Sequence, residues 1–181
     1  MRLFIAYKIH INTAKDIYLN IVNFEAFKGH KIVDYNNYHI TFKFLGDINL
    51  SAQIISDKLA ESLCGVSSFH FYLSNEIGYM PSSHKPKLAY LKIYEEDDKF
   101  NGLFKNIDNG MGSLGFELGR MKFMPHLTLV RFREAKINHA ILPTYIDKQS
   151  KTEVILDKVS LFQSILRPEG PIYKEVFSVK L

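Results

Sequence analysis

Residues 38–46 of this chain read Tyr-His-Ile-Thr-Phe-Lys-Phe-Leu-Gly, and they alternate with the two-residue period of a β-strand. The alternation puts Tyr38, Ile40, Phe42 and Phe44 on one face, and His39, Thr41 and Lys43 on the other. The apolar face has to be covered by a core, so the polar face must look elsewhere. Residues 125–132, Pro-His-Leu-Thr-Leu-Val-Arg-Phe, repeat the pattern, with Leu127 and Leu129 on one face and His126 and Thr128 on the other. A histidine and a threonine two apart, on two separate strands, form a feature that a single apolar core would not require.

The elements around the two strands also recur in order. A β-rich run at residues 2–9 is followed by a helix that Asn12 or Thr13 caps. Its stripe of Ile17, Ile21, Phe24 and Phe27 carries it to about Lys28, and Gly29 stops it. A short strand at 31–34, a turn at 35–37, the first His/Thr strand, a helix from Ser51 (Ile55, Leu59, Leu63) and a strand at 69–73 complete the first set. The second set has a strand at 87–94, a helix capped by Asp97 or Asp98, the second His/Thr strand and a short helix interrupted by Pro143. Strands at 154–156, 159–166 and 173–181 close the chain. The expected architecture is therefore one α+β domain over residues 1–181. It is bilobal, with pseudo-twofold-related halves at about 1–80 and 87–166, and the last strand completes a sheet. Equivalent strands of the two halves would face each other across a cleft, bringing His39 and His126 together.

Composition sets outer limits. Hydrophobic residues make up 46% and charged residues 23%, ordinary values for a soluble globular protein. The formal charge of +4 suits a phosphate-bearing partner, but no polybasic run demands one. The one cysteine, Cys64, excludes an internal disulfide and a multi-cysteine metal site, and its place after a helical stripe predicts a core position. No apolar run is long enough for a membrane span or a signal peptide, so a cytoplasmic monomer is expected.

Two imidazoles titrate near neutrality and can hold opposite protonation states together. One takes a proton from a nucleophile while the other gives one to a leaving oxygen, as in-line displacement at phosphorus requires. The threonine hydroxyls would donate to non-bridging phosphate oxygens. Neither motif supplies an acidic, cysteine or second histidine ligand at metal spacing, so no metal and no cofactor are expected. A Gly-x-Ser-x-Gly elbow is missing, and the glycines at 110, 112, 115 and 119 lack the spacing of a nucleotide loop. Lys43 shares the His39 face and is a candidate phosphate ligand. Simple alternation sets Arg131 opposite His126, so a role for it needs a twist or bulge. Tyr38 either stacks on a base or packs. His10, His30, His70, His84 and His139 have no matched partners and read as surface or structural residues.

With these residues the chain resembles the two-histidine phosphoesterases, and within them the LigT-like RNA 2′,3′-cyclic phosphodiesterases, also called 2′-5′ RNA ligases. The resemblance rests on residues 2–6, the two motifs at 39–46 and 125–131, and the block at 161–173. It implies antiparallel sheets flanking a central cleft, with helices outside. It also implies metal-independent opening of a 2′,3′-cyclic phosphate, on an RNA end or a nucleoside, to a 2′-phosphate, with related 2′-5′ ligation. His39 and His126 would be catalytic; Thr41 and Thr128 would bind substrate, with Arg131 and Lys43 as further candidates. The expected assignment makes His126 the base and His39 the acid, an order the near-symmetric site leaves reversible. Sister activities on 2′-5′ oligonucleotides or small cyclic nucleotides, and a non-catalytic RNA-binding module, are the alternatives.

Overall fold

Strand β1 (Arg2–Lys8) is buried on both faces from Leu3 to Tyr7, as the computed structural model of the protein shows. The structure describes residues 1–133, 137–146, 151–168 and 170–181. A second strand, β2, is only Lys31–Ile32; β3 is His39–Asp47, β4 Phe69–Met80, β5 Leu88–Tyr94 and β6 His126–Arg131. Strands β7 (Thr152–Leu156), β8 (Lys158–Ile165) and β9 (Ile172–Lys180) complete the set. They form two antiparallel sheets, one ordered β3-β1-β8-β9 and the other β2-β6-β5-β4-β7.

These sheets cut across the halves expected at 1–80 and 87–166. Strand β4 of the first half pairs with β5 of the second, and β8 of the second half pairs with β1 of the first. The cause is local: only the short polar loop 81–87 separates β4 from β5, and antiparallel strands so closely joined pair as a hairpin. Each half thus lends its last strand to the other sheet, and the first half lends β2, paired with β6, as well.

Helix α1 (Ile11–Ile21) is shorter than its stripe suggests. Asn20, Ile21, Val22 and Asn23 are poor helix formers, and the chain leaves the helix there. Phe24 and Phe27 continue the apolar surface through a 3-10 turn instead, with Phe27 fully buried and Gly29 at φ +77°. Helix α2 (Ala52–Ser62) starts as read, with the Ser51 hydroxyl accepting the Ile54 N–H. Helix α3 (Lys99–Ser113) does not take its side-chain cap from Asp97 or Asp98. The Glu95 carboxylate accepts the Phe100 N–H instead, at 3.0–3.1 Å.

The stripes Ala14/Ile17/Ile21, Ile55/Leu59 and Leu103/Ile107/Met111 share one apolar core with Leu3, Ile5, Leu91 and Leu127. Cys64, expected in that core, is exposed. It follows Leu63, the last residue of the α2 stripe, by one position and so falls off the buried face. The strand expected at 69–73 runs on to Met80, because an irregularity between Leu73 and Ile77 hides its alternation. Of the Pro143-interrupted helix, the described residues show a 3-10 turn at His139–Ile141. Among the described residues no helix is long and apolar enough to cross a membrane.

Candidate active site

Cross-strand partners in an antiparallel pair share a face, so the register shows what surrounds each motif. In the first sheet Lys8 opposes His39, Ala6 opposes Thr41 and Phe4 opposes Phe44. In the second, Lys92 opposes His126, Tyr90 opposes Thr128 and Leu88 opposes Arg131. The two arrangements correspond position by position. Each also contains a register shift immediately after its threonine, where Phe42 and Leu129 are the extra residues. One additional residue reverses the phase of everything beyond it.

That reversal decides three side chains. Arg131 returns to the face of His126 and Thr128, the bulge its role required. Phe44, expected on the core face, turns to the His39 face and is 71% exposed. Lys43, expected beside His39, turns away to the face of Ile5. There its ammonium forms an ion pair with Asp108 of α3, both side chains being 9% exposed, and donates to the Glu117 carbonyl at 2.7 Å. The second Asp108 oxygen accepts the Gly119 N–H at 2.9 Å. Lys43 thus ties the segment entering the second motif to α3, which corrects its expected place as a phosphate ligand.

His39, Thr41, His126, Thr128 and Arg131 all line one open cleft of about 650 Å³. A recess of about 130 Å³, lined by His39, Thr128, Arg131 and Tyr173 among others, lies beside it. Both imidazoles are oriented in the same way. The Nδ1–H of His39 donates to the Asn37 carbonyl at 2.6 Å, and that of His126 donates to the Met124 carbonyl at 2.9 Å. A carbonyl can only accept, so the proton of the neutral ring sits on Nδ1 and Nε2 is left for the cleft. Aromatic rings hold the imidazoles. His39 lies 5.1 Å from the Phe4 ring and 5.1 Å, edge-on, from Tyr173. His126 meets the Tyr90 ring edge-on at 5.5 Å. Tyr90 in turn needs a glycine beneath it, because a Cβ at Gly78 would come within 2.3 Å of its ring.

Burial sets the proton affinities. It lowers His39 to about 4; the hydrogen bond to Asn37 works against this, while the charges of Arg131, His126 and Lys8 add to it. His126 is also lowered, again mainly by burial and further by Arg131, with the Met124 carbonyl opposing. Among the described residues, neither threonine hydroxyl has a protein hydrogen-bond partner, and Arg131 has no carboxylate within 4 Å. No three His, Cys, Asp or Glu side chains gather among the described residues as a metal-binding group.

Known proteins share this sequence and fold. The chain is similar to the RNA 2′,3′-cyclic phosphodiesterase of Methanocaldococcus jannaschii, 31% identical over 97% of this chain and 98% of that protein. It is also similar to that of Thermotoga maritima, 32% identical over 80% and 76%. The family model described as LigT like Phosphoesterase matches residues 91–173. The chain belongs to the LigT-like phosphoesterase family. Solved structures share the fold. A Thermus thermophilus protein aligns with a TM-score of 0.81 at 24% identity, covering 100% of this chain and 98% of that one. E. coli LigT complexed with 3′-AMP aligns with a TM-score of 0.79 at 19% identity, covering 99% and 97%.

Other side chains of this LigT-like site were not legible as partners in the sequence. Phe4, Tyr90 and Tyr173 reach the histidines only through strand register, although Tyr173 closes the sequence block at 161–173. Tyr38 is fully buried, and among the described residues its hydroxyl has no partner, so it packs. The remaining histidines sit outside the cleft. His10 caps α1, His30 accepts the Arg133 N–H, His70 contacts Glu153, His139 donates to the Ser83 carbonyl, and His84 is exposed in the 81–87 loop.

Proposed function

We propose that the protein hydrolyses a 2′,3′-cyclic phosphate at an RNA end to a 2′-phosphate, with His39 and His126 as paired acid and base. The observation that supports this reading is the pair of Nε2 atoms facing one cleft between two unpartnered threonine hydroxyls and Arg131. The relatives' name, RNA 2′,3′-cyclic phosphodiesterase, and the 3′-AMP held by E. coli LigT point to the same substrate chemistry.

In the free protein both imidazoles are neutral at pH 7, so the acid must gain its proton when substrate arrives. A unit negative charge about 3 Å away, at an effective dielectric of about 20, contributes about 5 kcal/mol. At 1.36 kcal/mol per unit that is about four pKa units, enough to bring His39 from about 4 to the neutral range. The driest imidazole gains most from a bound anion, which favours His39 as the acid. His126, lying nearer the open side, is then the base. His126 takes a proton from water as its oxygen attacks phosphorus; the P–O3′ bond breaks, and His39 gives its proton to O3′. Thr41, Thr128 and Arg131 hold the non-bridging oxygens. An RNA 5′-hydroxyl attacking in place of water would form a 2′-5′ linkage by the same transfers.

The test is turnover of 2′,3′-cAMP in EDTA, with the product isomer identified, beside His39→Ala and His126→Ala. A 2′-phosphate product and a loss of roughly 10²–10⁴-fold in kcat for each variant are expected. RNA binding without turnover of any cyclic or 2′-5′ substrate would instead make the protein a binding module.

A further inference from the structure

We infer that the cleft has a second arm beyond Arg131 that holds the nucleotide next to the reacting one, so that the enzyme prefers RNA chain ends to cyclic mononucleotides. The inference rests on the proposed reaction at the central site and adds a reader of chain length to it.

The arm is a groove of about 460 Å³, the size of a nucleotide site. Arg131 and Phe44 line both this groove and the central cleft, so the two spaces are continuous. Arg2, Lys31 and Tyr173 line the groove as well, and among the described residues none of its lining is acidic. Arg2, Lys31 and Arg131 come from β1, β2 and β6, strands remote in sequence that converge here. Among the described residues none of the three cations has a carboxylate within 4 Å, although Asp47 is the cross-strand neighbour of Arg2. Three unneutralised cations around one groove leave a site for anionic charge.

Apolar surface lies beside that charge. Phe44 is 71% exposed and Leu166 67% exposed, both on the groove wall. The first owes its exposure to the bulge at Phe42. Cations beside an exposed aromatic face are how proteins hold single-stranded nucleic acid, the cations tracking phosphates and the ring stacking a base. A cyclic mononucleotide has one phosphate, which the histidines and threonines occupy. A chain end carries a second, the phosphodiester on its 5′ side; besides Arg131, the cations lining the central cleft are Arg120 and Lys122, which already pair with Glu117 and Asp98. The groove supplies Arg2 and Lys31 for it.

The experiment compares kcat/KM on 2′,3′-cAMP with kcat/KM on a trinucleotide ending in a 2′,3′-cyclic phosphate, for wild type, Arg2→Gln/Lys31→Gln and Leu166→Ala. Arg2, Lys31 and Leu166 are exposed, so the variants should fold. Wild type should favour the trinucleotide. The double variant should lose about tenfold on it and less than twofold on 2′,3′-cAMP, with a shallower salt dependence, since each lost contact to a single strand removes a slope of about 0.7. Leu166→Ala should show the same selectivity with an unchanged salt slope. Equal losses on both substrates, or no loss on either, overturn the inference. If wild type turns over neither substrate, the proposed reaction has failed, and the arm is judged by anisotropy of a fluorescent trinucleotide 2′-phosphate. Tighter binding than 2′-AMP that the double variant abolishes upholds the arm, and equal binding overturns it.

Discussion

His39 and His126 each commit Nδ1–H to a carbonyl two residues upstream, and each is packed against an aromatic ring. Hydrogen bonding fixes the tautomer and packing fixes the plane, so under the proposed mechanism neither ring has to reorganise during proton transfer. The same packing keeps both rings neutral until an anion enters. Binding of an inert anion should therefore be coupled to protonation. We expect sulfate, which does not titrate in this range, to bind more tightly as pH falls from 8 to 6. Calorimetry in buffers of different ionisation enthalpy should show proton uptake at pH 7, most of it lost in His39→Ala. Sulfate binding without proton uptake would contradict the acid role.

At the scale of elements, the bulges after Thr41 and Thr128 matter more than the alternation that revealed the strands. Alternation placed His39, Thr41, His126 and Thr128 correctly on shared faces, because these residues precede the bulges. It misplaced Lys43 and Phe44, and left Arg131 on the wrong side, because each lies beyond one. Nothing in Thr-Phe-Lys or Thr-Leu-Val announces the extra residue; the pairing of β3 with β1 and of β6 with β5 creates it. The phase change at Lys43 produces a buried ion pair with Asp108. Lys43→Met should destabilise the protein by about 3–5 kcal/mol, as breaking a buried pair leaves an uncompensated charge. Lys43→Met/Asp108→Asn should recover most of that loss, since the amide still accepts the Gly119 N–H. Urea midpoints of the two variants check both statements, and equal midpoints would refute the ion-pair account.

For the whole molecule, the exchange of β4 and β8 between sheets links the two sheets, and the cleft lies at their junction. That junction makes stability depend on pH. An unfolded histidine titrates near 6.5, whereas folded His39 titrates at about 4. Between these values the unfolded chain binds the extra proton, so stability is full above pH 6.5 and falls as pH drops towards 4. The loss from His39 is about 3 kcal/mol when complete. Urea unfolding of wild type against His39→Gln between pH 7 and 4 should show the variant with the smaller decline. Parallel declines would show that His39 is not held neutral by the fold.

Sequence alone determined what depends on neighbours along the chain: the strand and helix periods, the cap at Ser51, the doubled His-x-Thr pair and, through these, the family. Tertiary structure alone decided what depends on neighbours across the sheets. It put β4 and β8 in each other's half, turned Arg131 towards the cleft and Lys43 away from it into a buried ion pair, exposed Cys64 and opened a basic groove from Arg2, Lys31 and Arg131. The physical reason is that side-chain direction in a strand follows hydrogen-bond register, and register belongs to two strands rather than to one.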